Sequence, residues 1–215
     1  MRDVVMKVKN RYSSLSAPVK AAAWFTVCSF MQKGISFITV PIFTRLMTTE
    51  QFGVFSVYNS WYSILSIVMT LNLSAGVYNN CLTKYSGQRA QATSALQGLS
   101  TTVTAVMFVI YLANINFWSQ LLHLSTLFVV LMFIENLFTP AYLFWTAEKR
   151  YDYKYIGIVI ITLIISVGSP IVGIVAVLCT EYKTEARVLS FALIQAIVGL
   201  IFYIYNFQKG RKFFQ

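Results

Sequence analysis

Two full charges stand near the middle of apolar runs of this sequence: Lys33 within Val19 to Phe43, and Glu135 within Leu121 to Trp145. As an α-helix, at about 1.5 Å per residue, each run is long enough to cross a hydrocarbon core. A lone charge at the centre of such a helix costs about 2.5 to 3.5 kcal/mol on insertion scales, so both side chains are expected to face protein or water rather than lipid. Two chemistries fit them. They can neutralise one another as a buried ion pair joining two helices. Alternatively, Lys33 can hold an anionic ligand on a cavity wall while Glu135 serves as its partner or as a proton or cation site.

Enzyme chemistry has no comparable foothold. His123 has no acidic or cysteine companions, and Cys28, Cys81 and Cys179 lack metal-ligand spacing. No phosphate loop or dinucleotide fingerprint occurs, so neither a catalytic site nor a bound metal or cofactor is expected.

The elements that must position these charges follow from composition. The chain has 215 residues, of which 57% are hydrophobic and 11% charged, and its mean hydropathy is +0.66. Such values lie outside the soluble globular range and indicate an all-α polytopic membrane protein. Six transmembrane helices are predicted: Val19 to Phe43, Phe52 to Leu73, Ala95 to Ile115, Leu121 to Trp145, Tyr155 to Leu178 and Val188 to Phe207. A basic leader (1–18), which can form an interfacial helix, precedes this six-helix lobe (19–207), and a basic tail (208–215) follows it.

The lysines and arginines test that count. Of the 17 present, Lys33 lies within a span and Arg45, Lys183 and Arg187 fall in loops on one side; all the others fall on the opposite side. This asymmetry is expected to place both termini in the cytoplasm. It also accounts for the net charge of +10 as a topogenic signal, so nucleic acid is not an expected partner. Arg45 would mark one mouth of the lobe, and Lys84 and Arg89 the other. Aromatic residues agree with the boundaries, with Phe144, Trp145, Tyr151, Tyr153 and Tyr155 at one interface and Trp118 at the other.

Small and polar residues recur at helical spacing in five of the spans. The first has Thr26, Ser29, Lys33 and Ser36; the second has Ser56, Asn59, Ser63, Ser66 and Thr70. The third has Ser94, Gln97, Thr101 and Thr104, the fourth Glu135, Thr139, Tyr142 and Thr146, and the fifth Thr162, Ser166, Ser169 and Gly173. Any single stripe reads as close helix packing, whereas all of them together suggest a shared hydrated cleft. Gly168 and Pro170 predict a kink in the fifth span.

The stretch VPIFTRLMTTEQFGVFSVYNSW, Val40 to Trp61, resembles the first hairpin of bacterial polysaccharide flippases, the O-antigen and oligosaccharide translocases of the multidrug/oligosaccharidyl-lipid/polysaccharide exporter superfamily. The elements shared are Thr44, Arg45 and Leu46 at the helix exit, Glu50 in the turn, and Phe52 and Gly53 at the start of the second helix. AEKRYDYKY, Ala147 to Tyr155, is similar to the family's basic and aromatic link between helices four and five. The resemblance implies the amino-terminal lobe of a two-lobed exporter, either as a partial protein or as half of a dimer. It also implies a cargo of undecaprenyl-diphosphate-linked oligosaccharide carried across a bacterial inner membrane. Membrane lipid and a second six-helix lobe, or a second copy, would be its partners. Lys33, Arg45, Asn59, Lys84 and Arg89 would then be the substrate contacts. A multidrug or small-molecule exporter half is a second reading, and an inert structural membrane subunit a third.

Overall fold

A computed structural model describes residues 16–210. The leader expected within 1–18 lies outside them except for its last three residues, and so does the tail beyond Gly210. Eight helices follow in order: α1 (Ala17–Leu46), α2 (Thr49–Met69), α3 (Val77–Lys84), α4 (Arg89–Ala113), α5 (Ile115–Leu122), α6 (Thr126–Tyr151), α7 (Tyr155–Leu178) and α8 (Lys183–Gly210). No strand occurs among the described residues. Six of these helices, α1, α2, α4, α6, α7 and α8, are long and apolar enough to span a membrane, making this an all-α polytopic membrane protein.

Local sequence sets the helix limits. Pro18 occupies the first turn of α1, where its missing N–H removes nothing from the helix. Thr48 and Gln51 form a reciprocal capping box at α2: the Gln51 N–H donates to Thr48 Oγ1 (3.2 Å) and the Thr48 N–H to Gln51 Oε1 (3.0 Å). The short α5 begins under Asn114, whose side chain accepts from the Phe117 N–H (3.3 Å), and stops at His123, whose φ of 51° is left-handed. The fourth predicted span therefore starts late. Leu121 and Leu122 belong to α5, and the membrane helix opens at Thr126. Pro170 does not interrupt α7, which is helical from Tyr155 to Leu178.

Packing ranks the helices. In α6, 56% of the most apolar stretch is buried, against 6% in α1, so α6 is the centre of the bundle and α1 its rim. The main core joins α2, α4, α6 and α8 around Tyr58, Tyr111, Met132 and Val188. Gly199 lets α6 and α8 touch backbone to backbone: a Cβ built there would lie 2.6 Å from the Phe138 carbonyl carbon. Phe144 and Trp145, expected at an interface, are buried instead. Phe144 meets Tyr78 of α3 edge-on (5.0 Å), and Trp145 packs on Phe202 (4.6 Å). Tyr78 also shares a 2.6 Å hydrogen bond with Thr93, which anchors α3 to the bundle.

Candidate functional site

α1 packs chiefly on α7, and α8 turns back beside α7. Phe43, Met47 and Val177 form a small buried cluster where α1 and α7 end. Lys183 Nζ donates to the Leu46 carbonyl (2.7 Å), placing a cation on the unsatisfied C-terminal carbonyls of α1, where the helix dipole favours it. The start of α8 is thereby pinned to the end of α1. Between these two helices, α2 and α7, a cleft of about 410 Å³ remains open, with Gln32, Asn59, Ser166, Ser169, Arg187 and Gln195 among its walls. Gln32 Nε2 donates to Ser166 Oγ (3.2 Å) across it.

Arg187 dominates the cleft. Its residue is only 7% exposed, and its guanidinium carbon lies 4.1 Å from the Phe43 ring centroid, 4.3 Å from Phe55 and 6.0 Å from Phe191. Each stacked ring offers a cation about 0.5 to 2 kcal/mol. The effective penalty for burying an ion is several kcal/mol, and Nε and Nη1, both buried, have no hydrogen-bond partner among the described residues to offset it. No carboxylate among the described residues pairs with the group. A guanidinium held between aromatic rings, with Nε and Nη1 unspent and a cleft beside it, has the chemistry to receive an oxyanion such as phosphate or carboxylate.

Gly173 supplies the room. A Cβ at that position would fall 2.7 Å from Arg187 Nη1 and 3.1 Å from the Phe43 ring. Gly173→Ala is therefore expected to push the guanidinium out of its seat and weaken anion binding roughly tenfold, about 1.4 kcal/mol. The fold itself should persist, because the atom displaced first is the end of a flexible side chain. Parallel ligand titration and thermal unfolding of the variant check both halves.

The other candidates divide. Asn59 shares the cleft with Arg187. Lys33 is exposed and lies in an adjoining groove of about 470 Å³ lined by Phe25, Thr26, Ser29, Phe30 and Arg150. Arg150 sits over the Phe25 ring (5.1 Å). Neither Lys33 nor Arg150 pairs with an acid among the described residues. Glu135 is fully buried and faces the Tyr58 and Tyr62 phenols of α2. The two mid-membrane charges thus form no ion pair, since Glu135 is enclosed in the α2–α6 core while Lys33 stands on the bundle's rim. Arg45 and Lys84 are exposed, and Lys84 rests over Tyr85 (5.7 Å).

Arg89 is engaged elsewhere. Its Nη1 donates to Asp152 Oδ1 (3.1 Å), its guanidinium covers Tyr151 (4.8 Å), and Asp152 also meets Lys154 (3.7 Å). These contacts tie the start of α4 to the end of α6. Because the pair is partly solvated, Arg89→Ala should cost at most about 1 kcal/mol and leave ligand binding at the cleft unchanged, as a thermal melt beside a binding titration would register.

The polar stripes divide in the same way. In α4, Gln97 donates to the Tyr203 carbonyl (3.2 Å) and accepts from Asn206 (3.1 Å), and Thr101 reaches the Tyr203 hydroxyl (3.4 Å). In α6, Thr139 accepts from Tyr62 (3.4 Å) and Tyr142 pairs with Thr162 (2.9 Å). These stripes are helix-packing seams. The α1 and α2 stripes remain open, with Thr26, Ser29, Lys33, Ser36, Ser56, Asn59 and Ser63 all exposed. Arg187 belonged to no stripe because its charge reads as a loop residue. The available signal was the spacing of Arg187, Phe191 and Gln195, which recur every fourth residue and line one face. No protein-family model matches the chain, and no curated protein and no solved structure matches it.

Proposed function

We propose that this chain is one six-helix lobe of a flippase that moves undecaprenyl-diphosphate-linked oligosaccharide across a bacterial inner membrane, in polysaccharide or O-antigen biosynthesis, with both termini cytoplasmic. The observation that carries this reading is a row of three cations along α1, each without an acidic partner among the described residues. Arg150 stands beside Phe25, Lys33 lies in the middle of the helix, and Arg187 sits beside Phe43. Phe25 and Phe43 are ~27 Å apart along a helix rising 1.5 Å per residue, close to the roughly 30 Å thickness of a hydrocarbon core. In a low-dielectric setting such a row attracts a diphosphate far more strongly than it would in water, and gives it successive footholds over the width of the membrane.

The hydroxyls and amides exposed on α1 and α2 suit the sugar hydroxyls of such a cargo. Burying that surface away from lipid calls for a second lobe or a second copy facing it, since Lys33 open to hydrocarbon would be costly. Arg45 and Lys84 take the role of rim charges. Glu135, enclosed at the centre of the bundle beside Tyr58 and Tyr62, is the coupling candidate.

The test is deletion of the gene followed by complementation. Lipid-linked repeat units are expected to accumulate in the deletion strain and to clear when the parent gene is restored, but not when Lys33→Gln is. If no such intermediate accumulates and drug sensitivity rises instead, cargo export of another kind is the function. If neither phenotype appears, the chain is a structural subunit.

A further inference from the structure

Among the described residues, Glu135 is the one acidic side chain that is wholly buried and belongs to no ion pair. It stands opposite a matched set on α2. Tyr58 faces Glu135, and one turn further along both helices Tyr62 donates to Thr139 (3.4 Å). Each pair is four residues from the next on its own helix, so the two stack as rungs between α2 and α6. Tyr58 and Tyr62 are the titratable groups that face the carboxyl, and among the described residues no charged group of α3, α4, α5, α7 or α8 stands against it.

The same part of α2 reaches the cleft. Phe55, three residues before Tyr58 and so ~4.5 Å from it along the helix, lies 4.3 Å from the Arg187 guanidinium. Phe191 of α8 meets both Phe55 (5.9 Å) and Tyr62 (6.4 Å) edge-on, and it lines the cleft. Glu135 and Arg187 are therefore joined through one turn of α2 and one ring of α8 without touching. Of the two helices that carry the rungs, α2 buries 11% of its most apolar stretch and α6 56%, so α2 is the one with freedom to shift.

The bundle thus holds a buried carboxyl and a buried guanidinium in a medium of low dielectric, where charges act on one another over longer distances than in water. An anion arriving at Arg187 cancels the positive charge there and leaves the carboxylate uncompensated, which is costly. A proton passing from solvent to a carboxylate oxygen of Glu135 removes that cost. We propose that Glu135 is a proton-binding site linked through α2 to the anion site at Arg187, so that an anion bound in the cleft draws a proton onto Glu135. The proposal rests on the reading of the cleft as an anion site and is independent of the identity of the cargo. Linkage is reciprocal, so the proton raises anion affinity by the same factor.

The test uses the full chain in nanodiscs of zwitterionic lipid, titrated with inorganic sulfate, an oxyanion whose charge is the same in mildly acidic and mildly alkaline solution. Sulfate is expected to bind roughly 5- to 150-fold more tightly at the acid end. In weak buffer, binding should take up protons, approaching one per sulfate, as an indicator dye would register. Glu135→Gln, whose amide stands in for the protonated carboxyl, should bind at the tight limit at every pH and take up none. Sulfate binding by the parent without proton uptake overturns the proposal, whether or not the variant folds, and leaves the anion site standing. A pH dependence retained in Glu135→Gln overturns it in the same way. Absence of sulfate binding at any pH overturns both the proposal and the anion site on which it rests.

Discussion

Replacing Arg187 with methionine is expected to abolish transport while leaving the lobe as stable as the parent or more so. Two properties of the site lead there. First, the guanidinium is buried between Phe43, Phe55 and Phe191 with two donors unpartnered, so it carries a desolvation penalty that its cation–π contacts offset only in part. Methionine is of similar length, packs well on aromatic rings, and removes that penalty. Second, a charge-assisted hydrogen bond to an anion is worth about 1.5 to 3 kcal/mol, so its loss should weaken phosphate-headed ligands roughly 10- to 150-fold. A purely structural arginine would behave in the opposite way, with the variant melting lower and binding unaffected. Arg187→Lys is expected to recover only part of the binding, because an ammonium lacks the planar fork that stacks and donates in two directions.

The largest stability effect should come from Gly199. A Cβ there meets the Phe138 carbonyl carbon at 2.6 Å, its oxygen at 2.7 Å and the Thr139 nitrogen at 2.8 Å. All three atoms are backbone, so no rotamer change can relieve the contact. Gly199→Ala must separate α6 from α8, and α6 is the helix on which the bundle is centred. Overpacking of this kind costs up to about 3 kcal/mol and occasionally more, and with only backbone atoms to yield it should exceed the roughly 1 kcal/mol that a helical glycine-to-alanine change returns in propensity. Gly168→Ala is the matched control, since nothing lies within 4 Å of that position. Its melt in detergent should equal or exceed the parent's, while that of Gly199→Ala should fall by many degrees.

Much of the architecture is legible in the apolar runs. The fifth predicted span and α7 share both ends, Tyr155 and Leu178, because charged and polar turns flank a run that is uncharged and predominantly apolar. Where a neighbouring element is itself apolar, the boundary blurs. Leu121 and Leu122 close the short α5, yet by composition they extend the next span, since hydrophobicity alone does not mark where one helix ends and the next begins. The position of Lys33 and Glu135 inside long apolar helices is equally readable. Their directions are not, because facing depends on which helices become neighbours. α1 lies on α7, so Lys33 stands in an outer groove, while α6 lies at the centre and encloses Glu135.

The cleft itself was half legible. Asn59, Ser166, Ser169 and Gly173 stood on recognised stripes, and all four border the cleft or the arginine in it. Arg187 was hidden by its position near a helix start, where positive charges serve topology far more often than binding. Burial by Phe43, more than 140 residues earlier in the chain, is a tertiary event that local pattern does not encode. The stripes of α4 and α6 show the converse. Their spacing matches that of α1 and α2, but their hydrogen bonds are spent on neighbouring helices.

Photo-crosslinking from within the cleft tests the central claim most directly. A photoreactive amino acid placed at Asn59 or at Gln195, on opposing helices of the cleft, is expected to capture undecaprenyl-diphosphate-linked oligosaccharide in membranes that synthesise it. The adduct should fade when Arg187→Met is introduced, and the same group at Ile110, on the far side of the bundle, should yield none. Equal capture at all three positions, or none at Asn59 and Gln195 while the lipid-linked cargo is abundant, would contradict a cargo site at the α1–α2–α7–α8 cleft.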